Sequence, residues 1–273
     1  MATDRLHYAK SDIGRKRPQN EDCFLADSSL GLYIVCDGMG GGNAGEVASR
    51  MAIETIAAHI QSPVGTGAVE AERDDPNLTA AANQLAHAVR AANAAVFQAS
   101  WEQANYAGMG TTVAAARLSG HSLSIAHVGD SRVYLVRNGA IQALTADHTW
   151  VAEQVAQGHM TEEEAERSPR RNIVTRALGV ESTVDIDVTE IPVFRGDMLL
   201  LCSDGLTRGV RCRDILKTLE EKIGLEEKTD RLISLANEAG GEDNITVMLI
   251  TIGGGATARL WQRLTGGWFL KAS

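Results

Sequence analysis

Four short apolar runs in this chain each meet an aspartate at one end, with a glycine beside or near it. Leu32-Tyr33-Ile34-Val35-Cys36 stops at Asp37-Gly38, Leu123–Val128 runs into Gly129-Asp130, and Met198–Ser203 runs into Asp204-Gly205. Gly241-Glu242-Asp243-Asn244 precedes Ile245–Ile252. A strand holds its terminal carboxylate rigidly, and glycine lets backbone pass close to a ligand. One Asp-Gly alone reads as a turn. Several carboxylates at buried strand ends repel one another and need a counter-charge. Carboxylates, carbonyls and waters suit hard cations such as magnesium or manganese, not zinc. A pair of such ions can share a bound water, lower its pKa and hold it for attack on phosphorus. Structural calcium is the bland alternative, weakened by the absence of EF-hand spacing.

The other chemical motifs are thinner. Gly40, Gly42 and Gly45 satisfy GxGxxG between a strand and a helix, the hook for a dinucleotide-binding enzyme. That reading needs a parallel strand ending in Asp or Glu about 20 residues on. Gln61-Ser62-Pro63-Val64-Gly65 and a second long helix follow instead. No Walker loop, HExxH or GxSxG occurs, and His127 and His148 lack metal-ligand spacing, so they read as buried or capping residues.

Strands are expected at the apolar runs named above and at Val133–Val136. Asn138-Gly139 between Arg132–Arg137 and Ala140–Leu144 marks a hairpin. Leu78, Ala82, Leu85, Val89, Ala92 and Val96 share one face of a long helix, and Ile53, Ile56 and Ile60 do the same in a shorter one. Thr161 with Glu164 forms a capping-box signature, and a further helix over Asp230–Ala239 stops at Gly240-Gly241. Strands cluster rather than alternate with helices. That favours antiparallel sheets with helices outside over a doubly wound parallel sheet.

Composition agrees with a soluble enzyme. The 273 residues are 44% hydrophobic and 22% charged, enough for one large domain without disulfides. A net charge of −9 argues against a general nucleic-acid binder. Cys23, Cys36, Cys202 and Cys212 form no CxxC pair, and a reducing compartment fits them. Met1–Pro18 lacks the apolar core of a signal peptide, and no run reaches the ~18 apolar residues of a membrane span. A cytoplasmic protein is expected.

Together these residues resemble the metal-dependent protein phosphatases of the PPM type, also called type 2C, in their bacterial form. The resemblance runs from about residue 8 to 252, in the family's order, through Ser11-Asp12-Ile13-Gly14, Arg17, Asn20-Glu21-Asp22, Asp37-Gly38-Met39-Gly40-Gly41 and Gly110-Thr111-Thr112. It continues through Gly129-Asp130-Ser131-Arg132, Asp147-His148, Ser203-Asp204-Gly205-Leu206 and Asp243-Asn244-Ile245-Thr246. Each motif is short, but their order is specific.

The resemblance implies an α+β fold, two antiparallel β-sheets packed as a sandwich with helices on both outer faces. It implies a phosphatase domain over residues 1–253, with a flap insert at about 149–178; residues 254–273 are expected, from the glycine linker before them, to form a separate tail. It also implies two Mn²⁺ or Mg²⁺ ions, with Asp37 bridging them, the Gly38 carbonyl on one, and Asp204 and Asp243 on the other. Glu21 and Asp22 act near the metals, mostly through waters. Asp130, with Asp204, matches the position of a third, looser metal. Arg17 holds the substrate phosphate as a fork. The expected reaction is in-line attack of a metal-bridging hydroxide on phosphoserine or phosphothreonine in proteins, opposing a Ser/Thr kinase. Met39 and Gly42 stand where other members carry a histidine, so no general acid is assigned. Thr111 and Thr112 are expected to pack the sheet, and Asp147 to close a turn.

Two features lie outside that pattern. Arg167, Arg170, Arg171 and Arg176 in the insert either attract a phosphopeptide or pair with Glu162–Glu166 on a solvated face. Leu260, Trp261, Leu264, Trp268 and Phe269 in the tail either dock onto the parent domain or meet a partner or membrane surface. A phosphoprotein-binding pseudoenzyme is the alternative function, but it is expected to have lost a metal aspartate, and Asp37, Asp204 and Asp243 are all present. A monomer is expected.

Overall fold

Alternation along single strands explains the layering. In the computed structural model, which describes residues 5–41, 44–62 and 74–253, β3 (Leu32–Met39) is buried on both faces through Cys36. Leu32, Ile34 and Cys36 enter one core, while Tyr33 and Val35 enter another. β10 (Met198–Cys202) and β11 (Ile245–Ile252) divide likewise. Leu199, Leu201, Met248 and Ile250 point to the central core, and Leu200, Cys202, Val247 and Leu249 to an outer one. Strands covered on both sides read as continuous apolar runs, which is why these three were visible in the sequence.

Two all-antiparallel sheets form the sandwich. One runs β1 (Arg5–Asp12), β11, β10, β7 (Arg132–Arg137), β8 (Ala140–Ala143). The other runs β2 (Asp22–Asp27), β3, β5 (Val113–Ser119), β6 (Ser122–Val128), β9 (Asp187–Pro192), with the short β4 (Gly110–Thr111) beside β3. The second sheet is covered by α1 (Ala44–Gln61) and α2 (Ala80–Glu102), whose Ile53, Ile56, Leu85, Val89 and Val96 fill that outer core. The first is covered by α5 (Asp204–Thr207), α6 (Cys212–Glu220) and α7 (Leu225–Glu238). This is the helix–sheet–sheet–helix order expected from the resemblance. Every strand pair is antiparallel and α1 leads to another helix, so the dinucleotide-binding alternative has no parallel crossover to rest on.

Local expectations hold with shifted ends. Asn138 and Gly139 adopt φ of 53° and 73°, the left-handed pair a two-residue hairpin demands. The long helix starts at Ala80 because the Thr79 side chain caps it, leaving Leu78 outside. The last helix begins at Leu225 rather than Asp230 and ends at Glu238. In the insert, α3 (Trp150–Ala156) is capped by Thr149, and α4 (Glu162–Arg167) carries the full capping box from Thr161 and Glu164. Gly42 and the tail at 254–273 lie outside the described residues.

Candidate active site

Strand register brings the aspartates to one end of the sandwich. Asp22 opens β2 directly opposite Asp37 in β3. Asp130 follows β6, Asp204 follows β10, and Asp243 precedes β11, whose Val247 pairs with Cys202. Arg17, Glu21, Asp37, Gly38, Asp130, Asp204 and Asp243 line one cavity of ≈ 290 Å³, and Asp22 is buried opposite Asp37. All eight sequence-nominated residues therefore converge. Met39, Gly40, Thr112, Asn172, Val174 and Arg208 complete the walls.

Hydrogen bonds to the backbone fix these carboxylates in place. The Asp37 N–H donates to Thr112 Oγ1 at 3.0 Å, and the Asp37 carbonyl accepts from Thr111 Oγ1 and the Thr112 N–H, each at 2.9 Å. Thr111 and Thr112 are thus structural, as expected. A Cβ on Gly38 would overlap the Gly45 carbonyl oxygen, so only glycine lets β3 run this close to the start of α1. Ser203 Oγ and Thr246 Oγ1 donate to Asp22 Oδ2 at 2.7 and 2.6 Å. Asn244 clamps the N-terminal loop. Its Oδ1 accepts the Glu21 N–H, and its Nδ2 donates to the Ile13 and Gln19 carbonyls.

The electrostatics are unbalanced. Glu21 Oε1, Asp22 Oδ1 and Asp204 Oδ1 are buried without a hydrogen-bond partner. Burial, followed by repulsion from Asp22 and Asp204, pushes the Asp37 carboxyl well above its usual range. Burial and then Asp130 do the same to Asp204, and burial lifts Asp22 to about 6. Glu21 and Asp130 are raised as well, chiefly by burial. Two guanidiniums offset part of this charge. Arg17 Nη2 donates to Asp243 Oδ2 at 2.7 Å, and Arg208 Nη1 donates to the same oxygen at 2.6 Å. Arg208 also pairs with Asp204. Sequence reasoning missed Arg208: its i,i+4 spacing from Asp204 was the one local signal, while its other partner Asp243 lies 35 positions away.

Neighbouring groups that resemble site residues in type are occupied otherwise. Arg132 donates to both Asp147 oxygens, at 2.7 and 2.6 Å, so Asp147 is a partner of that arginine. His127, His148 and Asp187 bring possible ligand atoms within 4.8 Å of one another. However, the Gly129 N–H donates to His148 Nδ1, which leaves the ring proton on Nε2, facing Asp187 Oδ2 at 3.1 Å. Arg176 covers the other Asp187 oxygen at 2.8 Å. Burial, then His148, lowers His127 to about 4, keeping it neutral. In the insert, Arg176 is thus held by Asp187, Arg171 reaches Glu242 at 3.3 Å, and Arg170 stacks over Trp150 at 5.0 Å.

A basin of under-satisfied hard oxygen donors between antiparallel sheets is the architecture of hydrolases that bring divalent cations to a phosphate ester. Known proteins narrow this further. The family model described as Protein phosphatase 2C matches residues 10–249. The serine/threonine phosphatase stp of Listeria monocytogenes is 39% identical over 244 residues, covering 88% of this chain and 93% of the relative. The solved serine/threonine phosphatase PstP/Ppp of Mycobacterium tuberculosis superposes with a TM-score of 0.80 at 37% identity, covering 92% of this chain and 99% of that one. A PstP catalytic domain solved with two manganese ions has a TM-score of 0.77 at 35% identity, with coverage of 92% and 99%. The chain belongs to the protein phosphatase 2C family. It is a manganese- or magnesium-dependent protein-serine/threonine phosphatase.

Proposed function

We propose that the acidic basin is the catalytic centre and that each nominated residue has the role its position matches. Three buried carboxylate oxygens left without partners, on Glu21 and Asp204 in the cavity and on Asp22 opposite Asp37, carry this reading. The donor set fits hard divalent ions, being carboxylates and one backbone carbonyl with no thiolate. Asp37 and the Gly38 carbonyl would hold one ion, and Asp37, Asp204 and Asp243 the second. Asp130 and Asp204 would hold a looser third, with Glu21 and Asp22 contributing mostly through waters. When bound, the ions supply Lewis-acid charge and an activated water for in-line attack on phosphorus.

The chain's own groups do the rest. Thr111 and Thr112 anchor the Asp37 main chain at the end of β3, and Ser203 with Thr246 hold Asp22 Oδ2 so that Oδ1 stays free. Arg17 stands 46% exposed at the rim, where its planar fork can take two phosphoryl oxygens and steady the charge that builds on them. Among the described residues no histidine lines the cavity, and the serine or threonine leaving oxygen takes its proton from water.

The substrates are phosphorylated proteins, and we place the enzyme opposite a cognate Ser/Thr kinase in the cytoplasm. Four free cysteines, two of them buried, support a reducing compartment. Large exposed apolar side chains such as Leu6, Trp101 and Val180 are scattered along the described chain, which supports a monomer. The test is phosphate release from a phosphothreonine peptide with manganese, with EDTA, and with Asp204→Asn. Turnover that requires manganese and vanishes in both controls is the expected result. Turnover surviving in Asp204→Asn would overturn the assignment.

A further inference from the structure

Arg208 sits one residue past α5, with its side chain only 20% exposed, and its guanidinium pairs with both Asp204 and Asp243. These are the two carboxylates that, on the reading above, hold one ion without help from Gly38. Asp243 Oδ2 accepts from Arg17 as well, so two guanidiniums share one oxygen while Asp204 Oδ1 has no partner. A carboxylate oxygen turned toward a guanidinium donor is not free to ligate a divalent ion in the same direction. The two cations therefore compete for the same lone pairs.

We propose that Arg208 is the resident counter-cation of the Asp204–Asp243 subsite, and that a divalent ion must displace it to bind there. Arg208 then sets the metal concentration at which this subsite fills. The inference rests on the metal-centre reading of the basin. A guanidinium keeps its charge at every working pH, so the competition cannot be relieved by titration of Arg208. Release needs only side-chain rotation. The next residue is pinned, since a Cβ on Gly209 would stand 2.8 Å from Ala239 Cβ. Arg17 differs: it approaches from the half-exposed rim, touches Asp243 alone, and can leave for a phosphate without uncovering Asp204.

The test is calorimetric titration of manganese into the EDTA-stripped full chain, as wild type, Arg208→Gln and Arg208→Lys. Removing a unit charge a few ångströms from a dication is expected to tighten manganese binding at the Asp204–Asp243 subsite by about tenfold or more in Arg208→Gln. Arg208→Lys, which keeps the cation, stays near wild type. The metal-free Arg208→Gln protein melts at a lower temperature, because Asp204 and Asp243 lose their neutralising partner. A second readout needs no variant that must fold: the Arg208 Nε–H resonance in the wild-type chain shifts as magnesium is added and saturates as the Asp204–Asp243 subsite fills. Manganese bound no more tightly by Arg208→Gln, or an Nε–H signal indifferent to magnesium, overturns this proposal alone. A wild-type chain that binds no manganese overturns the metal-centre reading and this proposal with it.

Discussion

Two buried carboxylate regions in the same molecule are treated in opposite ways. Asp197 is wholly enclosed, and both its oxygens are taken. Arg137 donates through Nε at 2.8 Å and Nη2 at 2.6 Å, and the Phe194 N–H adds a third bond at 2.7 Å. At the other region, Glu21, Asp22 and Asp204 each keep a buried oxygen with no partner, although Arg17 and Arg208 stand in the same cavity. A buried carboxylate left short of donors costs stability unless something outside the chain completes it. Saturation marks a carboxylate that holds the sandwich together, and shortage is what the proposed cation-binding carboxylates share.

Substitutions can break that contrast, beginning with the largest effect. Asp204→Asn is expected to lower manganese-dependent phosphate release roughly a thousandfold or more, the loss of several kcal/mol of charge stabilisation. The same variant should melt at a higher temperature than wild type in EDTA, since one repelling charge is gone. A lower melting temperature would place Asp204 with Asp197 among the structural carboxylates. Asp197→Ala removes the carboxylate that neutralises the buried Arg137 guanidinium and should cost about 3–5 kcal/mol of unfolding free energy. Its manganese isotherm should be unchanged, and a weakened one would mean that the two regions are coupled.

Acidity sharpens the contrast further. Asp22 has a folded-state carboxyl raised from 3.8 to about 6, so between those values the folded chain binds more protons than the unfolded one. Stability of the metal-free protein should therefore fall as pH rises from about 4 to about 6, by roughly 1–3 kcal/mol from Asp22 alone, and go on falling above, because the Asp37 and Asp204 carboxyls are also held well above their usual range. Saturating manganese should remove or invert that slope in a denaturant series. The smallest effect belongs to the exposed pair of Arg171 with Glu242 at 3.3 Å. Arg171→Ala should change stability by under about 0.5 kcal/mol, a value that calibrates what water does to an ion pair of this kind.

What could be read in advance follows from where each signal lives. Asp37, Asp130, Asp204 and Asp243 were legible because each abuts a strand whose apolar run is unmistakable, and strand order then delivers them to one end. β3, β10 and β11 share that clarity. β1, β2 and β9 did not show, because they lie at sheet edges, mix polar with apolar residues and carry few fully buried positions. The Asn244 clamp and the Arg208 bond to Asp243 act across long sequence separations, as do Arg137 and Asp197, 60 positions apart. A lone arginine or asparagine gives no local hint of such a partner. The cap at Thr79 and the start of the last helix shifted by a few residues because tertiary packing, not propensity, sets helix ends.

The pairing of β1 with β11, Arg5 opposite Ile252, joins the first described strand to the last. Asp243 enters just before that final strand, while Glu21, Asp22 and Asp37 belong to the earliest part of the chain. During synthesis the first carboxylates emerge long before the strand that completes their basin. Non-local pairing of this kind closes late. If the proposed roles hold, the nascent chain is born inert, and the power to remove a phosphate arrives only with β11.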